Sequence, residues 1–250
     1  MKKHPISLTV AAAFAGLVAI APRGTATSTA KDDVFARTRA AYASLRSYAD
    51  TGTVDEEIGS SAAPLRERHT FRTYYRAPRH FYFDFTKQEN SDRFVVWSDD
   101  EAFHSWWQAT GIAEVYPKGQ GTAVFAIGGT PTLNALTQIA PLLFAQAGLT
   151  GTLTEFRDAS AAGTEAVSGR PCYKLVGVAR SVYGATGHVV NVRPTTVWVD
   201  VETALVRRVL EDAAEGTAAG TLNRFTTTFE PQANPTLDDT RFRFTTPAHK

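Results

Sequence analysis

Apolar and polar residues alternate along most of the chain, and a period of two is the mark of strands with one buried face. The segment His80 to Lys87 shows it best, with Phe81, Phe83 and Phe85 on one face and Tyr82 and Asp84 on the other. The same pattern predicts strands over Tyr48 to Ile58, Arg66 to Arg76, Arg93 to Trp97 and Ala102 to Tyr116. Turn-forming stretches between them, including Ala77-Pro78, Gln88 to Asp92 and Asp99-Asp100, join them as antiparallel hairpins. In the last of these strands Phe103, Ser105 and Trp107 oppose His104 and Trp106. Strands resume at Leu153 and continue through Ala166 to Arg180, Gly187 to Val192, Thr195 to Asp200, Ala204 to Glu211 and Leu222 to Phe229. A polar loop from Pro231 to Asp239 then leads to Arg241-Phe242-Arg243-Phe244, which alternates again. The expectation is a mainly β (α+β) protein of about ten or eleven antiparallel strands.

Two stretches break the period. Val34, Phe35, Thr38, Ala41, Tyr42 and Leu45 recur at three- and four-residue spacing, which predicts a helix over 33–47 capped by Asp32 or Asp33. Between Lys118 and Glu155 lie 36 consecutive residues without Asp, Glu, Lys or Arg, in a chain that is 20% charged. That stretch carries Phe125, Leu136, Ile139 and Leu143 but is interrupted by Gly128-Gly129, Pro131 and Pro141, so it cannot supply the unbroken apolar run of a membrane helix. Two short helices, over 121–127 and 132–147, fit it better, within an insert covering about 119–150.

The amino terminus has a different character. Lys2 and Lys3 precede an uncharged run from Pro5 to Pro22, followed by small residues up to Ala30. This reads as a secretory signal peptide over residues 1–30, leaving 31–250 as one domain. No Cys stands near either candidate cleavage site, Ser28-Thr29-Ala30 or Ala19-Ile20-Ala21, so the expectation is an exported, periplasmic protein without a lipid-modified cysteine. Without Lys2, Lys3 and Arg23 the 26 basic residues become 23 against 25 acidic, a count of −2. Such a balance, with no basic stripe, argues against nucleic acid as a partner.

No catalytic constellation emerges. GxSxG, HExxH and the Walker spacing are absent, and Lys118-Gly119-Gln120-Gly121 reads as a turn. His69, His104 and His188 fall in separate predicted strands and read as polar strand residues. Glu56-Glu57 and Asp99-Asp100-Glu101 read as solvated strand ends, and Cys172, the single cysteine, as core. The expectation is a non-enzyme with no cofactor and no metal site.

A large sheet with one aromatic face and a charge-free insert suggests a container: if the sheet curls and the insert closes it, the enclosed face is either filled or left as a cavity, and so many strands favour a cavity. The opening helix running into Leu45-Arg46-Ser47-Tyr48 resembles the start of the LolA/LolB superfamily of periplasmic lipoprotein carriers. So do Tyr75-Arg76-Ala77-Pro78-Arg79-His80-Phe81, the Val96-Trp97-Ser98-Asp99 turn and Val197-Trp198-Val199-Asp200 followed by Leu205 to Val209. The closing Leu237-Asp238-Asp239-Thr240-Arg241-Phe242-Arg243-Phe244 fits as well. The chain is most similar to the branch of predicted periplasmic LolA-like proteins of unknown function. The resemblance spans about 33–247 and implies an incompletely closed antiparallel barrel of about eleven strands with a helical lid, receiving lipid or lipoprotein acyl chains. In such carriers a strand arginine latches the lid, and Arg72 and Arg76 lie in the corresponding part of the sheet.

Strand parity and the resemblance together give a ligand-binding set of Phe81, Phe83, Phe85, Trp107, Val197 and Val199 on the sheet, with Phe125, Leu136, Ile139 and Leu143 on the lid. The expected partners are a lipid or acylated lipoprotein and, transiently, a membrane-bound protein, with the chain itself a monomer. Two other readings stand beside the carrier: a lipid-sensing module docking to a membrane signalling partner, and an exported hydrolase using His69 or His104 with a nearby carboxylate.

Overall fold

A computed structural model of the chain describes residues 29–98, 101–117, 134–147, 149, 151–183, 188–214 and 216–247. Among them are helices α1 (Thr29–Ala43) and α2 (Asn134–Leu143) and twelve strands. The first six are β1 (Ser47–Ser60), β2 (Ala63–Arg76), β3 (His80–Lys87), β4 (Arg93–Ser98), β5 (Ala102–Trp107) and β6 (Ile112–Pro117). The other six are β7 (Phe156–Val167), β8 (Arg170–Tyr183), β9 (His188–Asp200), β10 (Val206–Glu211), β11 (Thr221–Phe229) and β12 (Gln232–Ala233).

All the strands pair antiparallel in one sheet of order β6-β5-β4-β3-β2-β1-β11-β10-β9-β8-β7, with the short β12 also on β1. Its ends, β6 and β7, do not pair with each other, so the sheet is an incomplete barrel. Both helices sit on its concave side: Phe35 of α1 meets Phe156 of β7 at 5.2 Å, and the hydroxyl of Tyr42 accepts the Val206 N–H at 3.3 Å. No helix among the described residues is long and apolar enough to cross a membrane.

Several sequence expectations shift. The first helix ends at Ala43 rather than 47, because Asn234 accepts the backbone N–H groups of Arg46 and Ser47 and fixes them at the start of β1. The expected strand over Ala166 to Arg180 is the end of β7, a turn at Ser168-Gly169 with both residues at positive φ, and β8. The long strand over Ala102 to Tyr116 divides into β5 and β6 about a turn. Arg241 to Phe244 does not form a strand. Asp238 caps a single 3₁₀ turn, Asp239–Phe242, and its carboxylate accepts the Thr240 N–H. Of the two expected lid helices, 121–127 lies outside the described residues, and α2 accounts for the middle of 132–147.

That final turn explains why β3 is buried on both faces. Phe242, with Leu237 and Phe244 beside it, covers Tyr82, Val95 and Trp106 on the outer face. The segment is held by Arg76, which donates to Asp239 at 2.7 Å and lies 5.0 Å from the Phe242 ring. Cys172 packs on the same outer side farther along the sheet with Val167 and Trp198, where burial raises its thiol pKa.

Candidate functional site on the concave face

Strand register lays the inward side chains in rows. One row runs Gly52, Phe71, Phe85, Phe94, Trp107, and the next runs Asp50, Thr73, Phe83, Val96, Ser105. Only a glycine fits at position 52, since a Cβ there would fall 2.4 Å from the Phe71 ring and 2.2 Å from the Thr228 carbonyl. Its bare backbone lets Phe71 lean across β1 to meet Phe229 edge-on at 5.5 Å. The rows therefore merge into one apolar surface instead of separate stripes.

Phe81, Phe83, Phe85, Val197, Val199, Leu136, Ile139 and Leu143 all belong to one buried cluster. Trp107 has the same parity but lies near the open end of the sheet, 39% exposed, with its indole N–H donated to Asp92 at 2.8 Å. Phe125 lies outside the described residues. The cluster also takes in Phe71, Tyr75, Phe94, Phe103, Phe229 and Phe144, of which Phe71 and Tyr75 share one strand parity in the sequence.

Sheet and helix meet directly. Phe144, just beyond α2, sets its ring edge-on against Tyr75 at 5.2 Å, Phe81 at 5.5 Å and Phe103 at 5.6 Å. Over these residues the concave face is filled by the helix side, where strand number alone favoured a cavity. Gly151 makes this seating possible, because the returning chain passes so close to α2 that a Cβ would fall 2.1 Å from the Thr137 carbonyl.

A buried polar contact also ties the helix to the sheet. The buried Gln138 amide donates to Glu211 of β10 at 2.7 Å, and the Thr152 hydroxyl donates to the other oxygen of the same carboxylate at 3.2 Å. Burial raises the Glu211 pKa, against the opposing pull of Arg193 and these two hydrogen bonds. The latch residue is thus an acid from the far half of the sheet. Arg72 and Arg76 face outward instead: Arg76 holds the carboxyl-terminal turn, and Arg72 shares Asp84 with Arg93. Asp84, expected on a wet face, is only 5% exposed. Its burial opposes ionisation, but the hydrogen bonds from Arg93 and Arg72 outweigh that and lower its pKa. An open groove of about 600 Å³ runs along this outer face past Thr51, Thr53, Arg72 and Arg93.

Several solved structures resemble the chain. One is the lipoprotein LppX of Mycobacterium tuberculosis, 14% identical over 84% of this chain and 98% of that one, with a TM-score of 0.46. Another is LprF of Mycobacterium bovis, 11% identical over 82% and 93%, with a TM-score of 0.47. A LolA superfamily protein of Nitrosomonas europaea is 7% identical over 85% and 97%, with a TM-score of 0.35. No family model and no curated protein matches.

Two further buried groups interrupt the apolar surface. Asp50 accepts the Tyr48 hydroxyl at 2.6 Å, and burial raises its pKa to about 6 although hydrogen bonds from Tyr48 and Thr73 pull the other way. Glu56, read from sequence as a solvated strand end, lies mid-strand in β1, buried, with His69 of β2 beside it at 3.4 Å. Of the two histidines that the hydrolase reading names, His69 is thus the one beside a carboxylate. His104 lies 5.0 Å from Trp97, stacked on it on the outer face.

Proposed function

We propose that this protein is a periplasmic carrier that holds the acyl chain of a lipid or lipoprotein on the concave face of its sheet, in the place that α2 and Phe144 occupy. The observation that carries the reading is the cover itself: a charge-free helix of ten residues, seated on aromatic rows by apolar contact and a buried polar latch. A second packed sheet would be a permanent core, whereas a single ten-residue helix seated by its side chains is an exchangeable one.

The magnitudes support exchange. Leu136, Ile139, Leu142 and Leu143 are buried on α2, and at roughly 1.5–3 kcal/mol each they contribute roughly 6–12 kcal/mol to its seating. An acyl chain of about sixteen carbons gains on the order of 10 kcal/mol when buried, before ordering costs. The two are of one order, so a ligand of that size can displace the helix side without any catalytic group. Phe81, Phe83, Phe85, Val197 and Val199 would line the sheet side of the bound chain, with Trp107 at its open end. Export follows from the amino-terminal pattern of Lys2, Lys3 and the uncharged run after them.

Mass spectrometry of an organic extract of the natively purified protein, together with titration of a fluorescent fatty acid, tests this. Leu143→Ala is the informative variant. It should lower the unfolding free energy by about 2–4 kcal/mol and at the same time tighten fatty-acid binding, because the helix then competes less well for the same surface. Absence of a co-purifying lipid together with no saturable uptake by either form would end the carrier reading.

A further inference from the structure

Beyond the apolar rows the concave face turns polar, at the next register positions toward the β1–β2 hairpin. Glu56 and Glu67 stand directly opposite each other across β1 and β2. His69, two residues along β2 from Glu67, is fully buried between them and the Phe85 ring, which lies at 5.2 Å. Its Nε2 is 3.4 Å from a Glu56 oxygen and 3.6 Å from a Glu67 oxygen, and the ligand atoms of all three residues lie within 4.8 Å of one another.

As a set of hydrogen bonds this arrangement is poor. Both separations exceed the usual range of an N–H···O contact, and His69 Nδ1 has no partner at all among the described residues. Two carboxylates placed opposite each other in a sheet repel, and no Lys or Arg among the described residues is ion-paired to either. A buried imidazole nitrogen, Nε2, set between two carboxylates that have no counter-ion among the described residues is the situation in which an ion supplies the missing interaction.

The spacing fits one. Donors about 2.1 Å from a tetrahedral metal stand about 3.4 Å from each other, close to both measured separations. The geometry points to a site for a divalent transition-metal ion of the zinc class, held by Glu56, Glu67 and His69, with a fourth position open for water or a ligand donor. Two carboxylates and one imidazole suit Zn²⁺ or Co²⁺, while the nitrogen donor disfavours Ca²⁺ and Mg²⁺. Glu67, one-fifth exposed, gives the ion its route from solvent.

The test uses the full chain, purified without a histidine tag and stripped with a chelator. Zn²⁺ should bind at one equivalent and raise the melting temperature, and Co²⁺ should produce the visible absorption of a four- or five-coordinate ion. Glu67→Gln, at a partly exposed position, should fold as the parent does and weaken Zn²⁺ binding by at least about a hundredfold, since loss of even a supporting residue costs 10–100-fold at such sites. His69→Gln should abolish the cobalt spectrum. Glu57→Gln, the neighbouring carboxylate on the outer face, where it pairs with Arg66, should leave both unchanged. Binding that survives in Glu67→Gln, a preference for Ca²⁺ or Mg²⁺, or no stoichiometric Zn²⁺ uptake by the parent would each overturn the assignment.

Discussion

Asp50 shows what a single buried acid does to this protein. Its carboxyl lies in the concave face beside Tyr48 and Thr73, and its pKa rises from 3.8 to about 6 on folding. A raised acid pKa means that the native state keeps its proton longer than the unfolded chain, so the stability it permits at low pH falls as pH climbs from about 4 to about 6. Asp50→Asn preserves an acceptor for the Tyr48 hydroxyl and carries no charge. Urea unfolding should find it more stable than the parent by about 1–3 kcal/mol at pH 7, with the gap closing at pH 4. None of this was legible in Ala49-Asp50-Thr51, because desolvation is a property of the assembled face. The same holds for Glu56 and His69, thirteen residues apart, which only the β1–β2 register brings together. What the sequence did offer was Glu67 and His69 at spacing two, on one strand face.

At the scale of the element, α2 is tied to the sheet by the buried hydrogen bond from Gln138 to Glu211. Glu211→Ala should leave the strands intact while hydrogen exchange of 134–143 becomes faster, by the equivalent of about 1–3 kcal/mol of opening free energy. Equal protection in parent and variant would show that apolar contact alone seats the helix. Period and parity were enough to find β3, β4 and β11 nearly to the residue, because each is a short alternating run between strong turn signals. They failed where a side chain outside the run decides the backbone: Asn234 sets the start of β1 from far along the chain, and Asp238 caps the 3₁₀ turn Asp239–Phe242, which takes in Arg241 and Phe242 despite the alternating pattern. Arg72 and Arg76 were similarly ambiguous, since outward-facing arginines acquire a role only from Asp84 and Asp239.

For the whole molecule, the open antiparallel architecture was legible because it is the sum of hairpins, and hairpins are local. The sheet order separates those local pairings from the rest. Strands β1 to β6 form one unbroken meander and β7 to β11 another, and the two are stitched side by side along β1, which pairs with β11, where Gly52 stands opposite Phe229, and with the short β12. Helices α1 and α2 then bridge the halves from within. The polypeptide is in effect two self-ordered sheets sharing a seam, with the covalent link between them running from the end of β6 to the start of β7. Two separately encoded fragments divided in that link should therefore find each other in the same cell and co-purify as one particle. Breaking the seam, by proline at Thr228 opposite Thr53, should cost them that reunion while sparing hairpins elsewhere.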